Sequence, residues 1–159
     1  MDRRRFLSKL YFILLTCLLI LPCAKDVNSE YWQLYFKGSD SLLYYYDADS
    51  INVLPNNIIR MWTKSTPTSE EGRAKEVMNL RTVDPTIPYN YSYSTILYEI
   101  NCKDRTFKAL YVATYNTEHK ILSSTYMTNR SLARILPESM MDELSKIVCV
   151  KKDLKKEKR

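Results

Sequence analysis

Residues 91–102 read YSYSTILYEINC, and their side chains alternate between two sets. One set comprises Tyr93, Thr95, Leu97 and Glu99, and the other comprises Ser94, Ile96, Tyr98 and Ile100. Because successive side chains of a β-strand point to opposite faces of the sheet, this period of two predicts a strand over 91–101. Its aromatic and β-branched residues are typical of a pleated, half-buried surface.

Further strands are predicted on both sides of this one. Downstream, Lys103 and Asp104 mark a turn into a strand over 105–115, and a second turn over 116–120 leads into a strand over 121–127. Upstream, the same alternation indicates strands over 32–37, 42–47, 51–53 and 58–64. Proline and asparagine at 55–57 are typical of a hairpin turn, because proline fixes one dihedral and asparagine tolerates left-handed geometry.

The periodicity becomes helical in two segments. The first is a helix over 69–81, with a capping box of Thr68 and Glu71 and with Gly72 weakening it. Its predicted inner face consists of Ala74, Val77, Met78 and Arg81. Prolines at 85 and 88 end it.

The second helix begins after Ser139, its expected N-cap, with Asp142 at the third position. Its apolar stripe consists of Met140, Leu144, Ile147 and Val148. The predicted fold class is therefore α+β: an antiparallel sheet of about six strands, a C-terminal helix on its inner face, and one helix inserted after the third or fourth strand.

The N-terminus has the pattern of a secretory signal peptide. Arg3, Arg4, Arg5 and Lys9 precede an apolar run over 10–21, which is too short for the roughly 20 residues of a membrane-spanning helix. We expect residues 1–29 to be the signal peptide and the mature chain to begin near Glu30. A lipid anchor on Cys17 or Cys23 is the alternative, although small residues do not precede either cysteine.

Two cysteines, Cys102 and Cys149, remain after cleavage at this point. A pair of cysteines in an exported domain favours a disulfide, and two free thiols are the alternative. Such a bridge tethers the C-terminal helix to the end of the 91–101 strand.

The net charge of +6 is concentrated at the two ends of the chain. Residues 1–29 carry +3 and residues 151–159 carry +4, which leaves the body, residues 30–150, near −1. The body therefore does not resemble a nucleic-acid-binding domain. The basic segment 151–159 is predicted to be a solvated, disordered tail.

The pattern gives no indication of catalysis. His119, the one histidine, falls in a predicted hairpin turn, and Asp47 and Asp49 fit a backbone kink better than an acid/base pair. No phosphate loop, Cys-x-x-Cys pair or dinucleotide motif is present. We expect no catalytic, cofactor-binding or metal-binding residues.

The mature chain is rich in tyrosine, with 12 of the 13 tyrosines. Tyrosine is enriched at protein interfaces, so a solvated tyrosine patch is a candidate binding surface, with ordinary cross-strand packing as the alternative. The candidates are Tyr44, Tyr46, Tyr91 and Tyr93.

A collinear set of residues extends over most of the mature chain. It consists of Trp32, Tyr46-Asp47, Ser50-Ile51, 60–64, 91–93, 98–102, Tyr115, Ile135, Pro137, Ser139 and Cys149. Over roughly 31–150 this pattern resembles the bacterial surface-adhesin protein E family. Glycines usual in the family's hairpin turns are replaced here by Asn56-Asn57 and Glu118-His119.

The resemblance implies an antiparallel sheet with a C-terminal helix tethered by a disulfide. It also implies an envelope or surface location in Gram-negative bacteria, and the namesake adhesin binds host matrix and serum proteins. We expect an exported, non-enzymatic protein of the periplasm or cell surface that binds a protein partner, with a homodimer possible through exposed strand edges. The alternative is a structural or inhibitor-like periplasmic protein.

Overall fold

The computed structural model describes residues 31–39, 41–128 and 132–156, and only the backbone of 151–156. The predicted signal peptide, with Cys17 and Cys23, lies outside these residues. The strands are β1 (Trp32–Lys37), β2 (Leu42–Asp47), β3 (Asn52–Leu54), β4 (Ile58–Pro67), β5 (Tyr91–Asn101), β6 (Thr106–Asn116), β7 (Ile121–Tyr126) and β8 (Ala133–Arg134). The helices are α1 (Glu70–Arg81) and α2 (Met140–Lys156).

All pairings in the sheet are antiparallel, and the main strand order is β1-β2-β4-β5-β6-β7. The short strands β3 and β8 pair with β4 and β6. The stretch 91–101 is thus an interior strand, with β4 and β6 on its two sides. The predicted antiparallel α+β fold, with α1 inserted after the fourth strand, is confirmed.

Helix α2 covers one end of the sheet and forms the main core with it. Leu144 and Val148 are fully buried against Ile59, Met61 and Ile100. The predicted apolar stripe is confirmed, and Met141 joins it as a buried residue. The middle of this helix is anchored to the end of β5 by a disulfide between Cys102 and Cys149, and this pairing confirms the prediction.

The N-terminus of α2 is capped as expected. The Ser139 hydroxyl accepts a hydrogen bond from the Asp142 backbone N–H at 3.2 Å, and Asp142 Oδ2 accepts one from the Glu138 N–H at 3.0 Å. At its other end α2 reaches Lys156, six residues into the segment for which a disordered tail was expected. The basic composition of that segment favours a helix C-terminus, because cations offset the negative end of the helix dipole.

The details of α1 differ from the prediction. Its N-cap is Ser69, whose side chain accepts from the Gly72 N–H, whereas Thr68 donates to the Ser41 carbonyl. Gly72 and Val77 are buried, but Ala74 and Met78, expected on the inner face, are exposed. The close approach of Gly72 to Ser41 sets the rotation of the helix, and no periodicity within α1 contains that tertiary contact.

Candidate binding surface

The two faces of the sheet have different surroundings. Both α1 and α2 pack on the same face, where Val77 meets Ile87 and Tyr91, and where Leu144 meets Met61. We call this the helix-covered face. The opposite side, the open face, is covered by neither helix. Its central side chains are Trp32, Leu34, Tyr45, Arg60, Trp62, Lys64, Tyr93, Glu99, Lys108, Tyr111, Tyr115 and Tyr126.

The alternation of β4 determines which residues reach the open face. Ile59, Met61 and Thr63 are buried on the helix-covered face, so Arg60, Trp62 and Lys64 point the other way. The register of β5 continues these rows, since Arg60 lies opposite Glu99, Trp62 opposite Leu97 and Lys64 opposite Thr95. Polar and aromatic side chains therefore line the open face.

Aromatic rings from three strands, β4, β6 and β7, form a contact row on the open face. Trp62 meets Tyr111 edge-on with a centroid distance of 5.8 Å, and Tyr111 meets Tyr126 at 4.7 Å. A second pair, Tyr93 and Tyr115, is stacked at 4.7 Å with the ring planes 10° apart. Such pairs contribute about 0.5–1.5 kcal/mol each beyond their burial, so the rings form a fixed surface.

Lys64 lies among the rings at the other side of this face. Its ammonium nitrogen is 4.6 Å from the ring centroid of Trp32, 5.5 Å from that of Tyr45 and 5.7 Å from that of Tyr93. Cation–π attraction at these distances holds the lysine against the sheet.

A charged row crosses the open face at Glu99. The carboxylate accepts from Arg60 Nη2 at 2.9 Å through Oε2 and pairs with Lys108 Nζ at 2.9 Å through Oε1. Burial alone raises the pKa of Glu99, but the hydrogen bonds from Arg60 and Lys108 outweigh it and lower the pKa below its usual value. Glu99 is therefore a carboxylate at neutral pH.

The four tyrosines predicted as a binding surface do not share one face. Tyr46 and Tyr91 are 3% and 0% exposed and belong to the core, so neither is a surface residue. The Tyr46 hydroxyl donates to Gln33 Oε1, and burial raises the pKa of Tyr91 to about 12. Tyr44 packs against Tyr35 on the helix-covered face, and Tyr93 alone reaches the open face.

Two physical features separate these tyrosines. Tyr44 and Tyr46 are two residues apart in β2, so their side chains face the same side of the sheet. Only tertiary structure decides which side the helices cover. Tyr91 and Tyr93 are also two residues apart, so regular alternation would place them on the same side of the sheet. A register shift between them instead leaves Tyr91 beneath α1. The charged residues of β4 could have identified the open face from the sequence. Arg60 and Lys64 face the same side of the strand as Trp62, and charged side chains indicate the solvated side of a strand.

The remaining candidate groups have local structural roles. Asp47 Oδ1 accepts from the Asp49 N–H at 3.0 Å, and the Ser50 hydroxyl donates to the Asp47 carbonyl at 2.8 Å, which confirms the predicted kink. His119 is exposed in its turn, with Nδ1 3.3 Å from the Tyr93 hydroxyl. Among the described residues, no group of three or more His, Cys, Asp and Glu side chains is arranged to hold a metal ion.

A cleft of about 230 Å³ lies beside the disulfide. Its polar lining includes Asn101, Arg105, Ser145 and Lys146, and its apolar lining includes Ile135 and Val150. Both cations already pair with Asp142, at 2.6 Å from Arg105 and 3.0 Å from Lys146. Within the described part of the chain, no helix is both long enough and apolar enough to cross a membrane.

Comparison with known proteins gives a family match over most of the chain. Residues 32–150 match the family described as Surface-adhesin protein E. The chain is similar to crystal form II of Haemophilus influenzae protein E, with 14% identity, a TM-score of 0.48, and coverage of 79% of this chain and 91% of the other. The selenomethionine form of the same protein gives 15% identity, a TM-score of 0.49, and coverage of 79% and 89%. No curated protein matches the chain.

Proposed function

The chain belongs to the surface-adhesin protein E family, and from this membership we propose that it is an exported, non-enzymatic envelope protein that binds another protein through its open face. The N-terminal pattern of basic and then apolar residues supports export to the periplasm or the cell surface. The family match supports an adhesin-like role over the same residues that form the sheet and its helices.

The observation that carries the proposal is the aromatic row of the open face. Tyrosine, tryptophan and arginine are the residues most enriched at the energetic centres of protein interfaces. Trp62, Tyr111 and Tyr126 present such side chains side by side on three strands, outside the core that α1 and α2 form. Their mutual packing limits the conformational entropy that binding has to remove.

Capture of partners by the exported full-length protein tests the proposal. Leu34 and Tyr126 lie at the two ends of the open face and are 45% and 76% exposed, so their replacement leaves the core intact. We expect Leu34→Ala with Tyr126→Ala to lose a partner that the wild-type protein retains from envelope and host-matrix fractions. Tyr89→Ala is the matched control, because Tyr89 is 68% exposed but lies in the loop after α1.

Crosslinking in intact cells separates the two forms of the proposal. An adhesin-like module captures proteins from outside the cell, whereas a structural or inhibitor-like periplasmic protein is trapped with one dominant periplasmic partner. Equal capture by the wild-type protein and the open-face variant contradicts the proposed use of this face.

A further inference from the structure

We propose that the open face recognises an acidic segment of its partner, in which aspartate or glutamate side chains alternate with aromatic or apolar ones. This inference rests on the proposed function, because it specifies the chemistry of a protein bound at the same face. It is carried by the distribution of charge on that face and by the way each cation is held.

Positive charge is in excess on the open face, although the body as a whole is slightly acidic. Residues 30–150 contain 13 basic and 14 acidic side chains. Among the described strand residues, the registers place five basic ones on the open face, Lys37, Arg60, Lys64, Lys108 and Arg134, against two acidic ones, Asp47 and Glu99. The rest of the body therefore carries more net negative charge than residues 30–150 as a whole. The open face, with its excess of positive charge, is complementary to a negatively charged partner.

Neither Glu99 nor Asp47, the acidic residues among the described strand positions of this face, removes this excess. Glu99 is only 13% exposed and lies beneath two cations, Arg60 and Lys108, whose side chains are 41% and 34% exposed. One carboxylate neutralises one of these two charges. Asp47 lies at the end of β2 and accepts a hydrogen bond from the backbone of its own kink.

The cations are also positioned before any partner arrives. Lys64 is held over the Trp32 and Tyr45 rings, and Arg60 is fixed by its hydrogen bond to Glu99. A carboxylate that approaches either group forms a charge-assisted hydrogen bond without first having to order a free side chain. Trp62 lies between Arg60 and Lys64 on β4, and its ring provides apolar contact for a residue between the partner's carboxylates.

The spacing of these charges favours a protein segment over a sulfated polysaccharide or an anionic membrane. Those polyanions are bound by dense clusters of Lys and Arg, and their binding is dominated by charge. On the open face, the Trp62 and Tyr111 rings lie between Lys64 and the Arg60–Lys108 pair. Alternating acidic and apolar contacts match this pattern.

A labelled peptide of alternating glutamate and tyrosine, compared with its glutamine–tyrosine counterpart, tests the inference on the exported full-length protein. We expect the glutamate peptide alone to bind, and its affinity to fall as salt is raised, because exposed charges are screened. Lys64→Gln with Lys108→Gln is expected to weaken binding about tenfold. Lys75→Gln is the matched control, because Lys75 is an exposed lysine on α1.

Three outcomes overturn the inference. These are no binding of the glutamate peptide, equal binding of both peptides regardless of salt, or binding of heparin or anionic vesicles instead, with the same dependence on Lys64 and Lys108. In each case the proposed function is judged separately. If Leu34→Ala with Tyr126→Ala still abolishes capture of a partner, the face binds protein by other chemistry.

Discussion

The guanidinium of Arg105 donates to the Asp142 carboxylate at 2.6 Å, although 37 residues separate them in the chain. Arg105 occupies the turn between β5 and β6 in left-handed geometry, with φ of 50°, while Asp142 belongs to the first turn of α2. The same carboxylate accepts from the Glu138 N–H and pairs with Lys146. One buried acidic side chain thus joins a hairpin turn, a helix cap and a helix face.

This arrangement predicts a loss of stability in acid. Hydrogen bonds from Arg105, Lys146 and the Glu138 N–H lower the pKa of Asp142 to about 2. A carboxyl whose pKa is depressed by folding stabilises the protein above its unfolded pKa of about 3.9, and that contribution disappears as pH falls through the folded pKa. Thermal unfolding followed from pH 5 downwards is therefore expected to show Tm falling most steeply between about pH 4 and 2.

The variant Asp142→Asn isolates this carboxylate. It keeps the shape of the side chain but removes the charge that Arg105 and Lys146 face, so we expect a lower Tm at neutral pH and a weaker dependence on pH in acid. Glu118→Gln is the control, because Glu118 forms an exposed ion pair with Lys120 at 2.7 Å. Parallel acid profiles for Asp142→Asn and the wild-type protein contradict the assignment.

The disulfide between Cys102 and Cys149 closes a loop with a sequence separation of 47. A loop of this length corresponds to a stabilisation of about 4 kcal/mol in the chain-entropy model. Cys102→Ala with Cys149→Ala is expected to lower the free energy of unfolding by that amount, as measured by urea denaturation. A reducing agent is expected to destabilise the wild-type protein and leave the double variant unchanged, and a wild-type protein insensitive to reductant contradicts the prediction.

The local features of this chain were predictable because they depend on neighbours in sequence. The alternation over 91–101 predicts β5 at its observed bounds, and Ser139 with Asp142 predicts the cap of α2. The side of the sheet that each strand residue faces is harder to predict from the sequence, because it depends on where the helices pack. Tyr46 and Tyr93 are both tyrosines in alternating strands, yet one is in the core and the other on the open face.

The inner face of α1 illustrates the same limit. Periodicity selects Ala74, Val77, Met78 and Arg81. Val77 is buried as predicted, but Ala74 and Met78 are exposed, and Gly72 is buried instead. A Cβ atom at Gly72 lies 2.9 Å from Ser41 Cβ and 3.2 Å from the Ser41 carbonyl oxygen. Gly72 has no side chain, and a glycine weakens an isolated helix. Here the absence of a side chain allows α1 to contact the turn after β1.

Gly72→Ala is therefore expected to destabilise the protein. In an exposed helix the same substitution gains about 1 kcal/mol, but the new methyl group overlaps Ser41, and overpacking costs about 1–3 kcal/mol. Ser41→Gly removes the overlapping Cβ and suits the left-handed φ of 62° at that position. A double-mutant cycle measured by urea unfolding is expected to recover most of the loss. A more stable Gly72→Ala protein rules out the close contact.

The last prediction concerns Tyr35, whose hydroxyl is buried on the helix-covered face without a hydrogen-bond partner among the described residues. Burial raises the pKa of this hydroxyl, with smaller contributions from Tyr98 and Tyr44, so it remains neutral. An unsatisfied buried polar group costs about 1–3 kcal/mol, and removal of the group avoids that cost. Tyr35→Phe is therefore expected to raise Tm.

The matched control is Tyr46→Phe, for which we expect the opposite sign. The Tyr46 hydroxyl donates to Gln33 Oε1, so its removal loses a hydrogen bond and lowers stability by about 1 kcal/mol. Calorimetry of the two variants measures both signs under identical conditions. A lower Tm for Tyr35→Phe contradicts the prediction and indicates a water molecule bound to the hydroxyl. The adjacent cavity of about 20 Å³ exceeds the roughly 10–15 Å³ that one water needs.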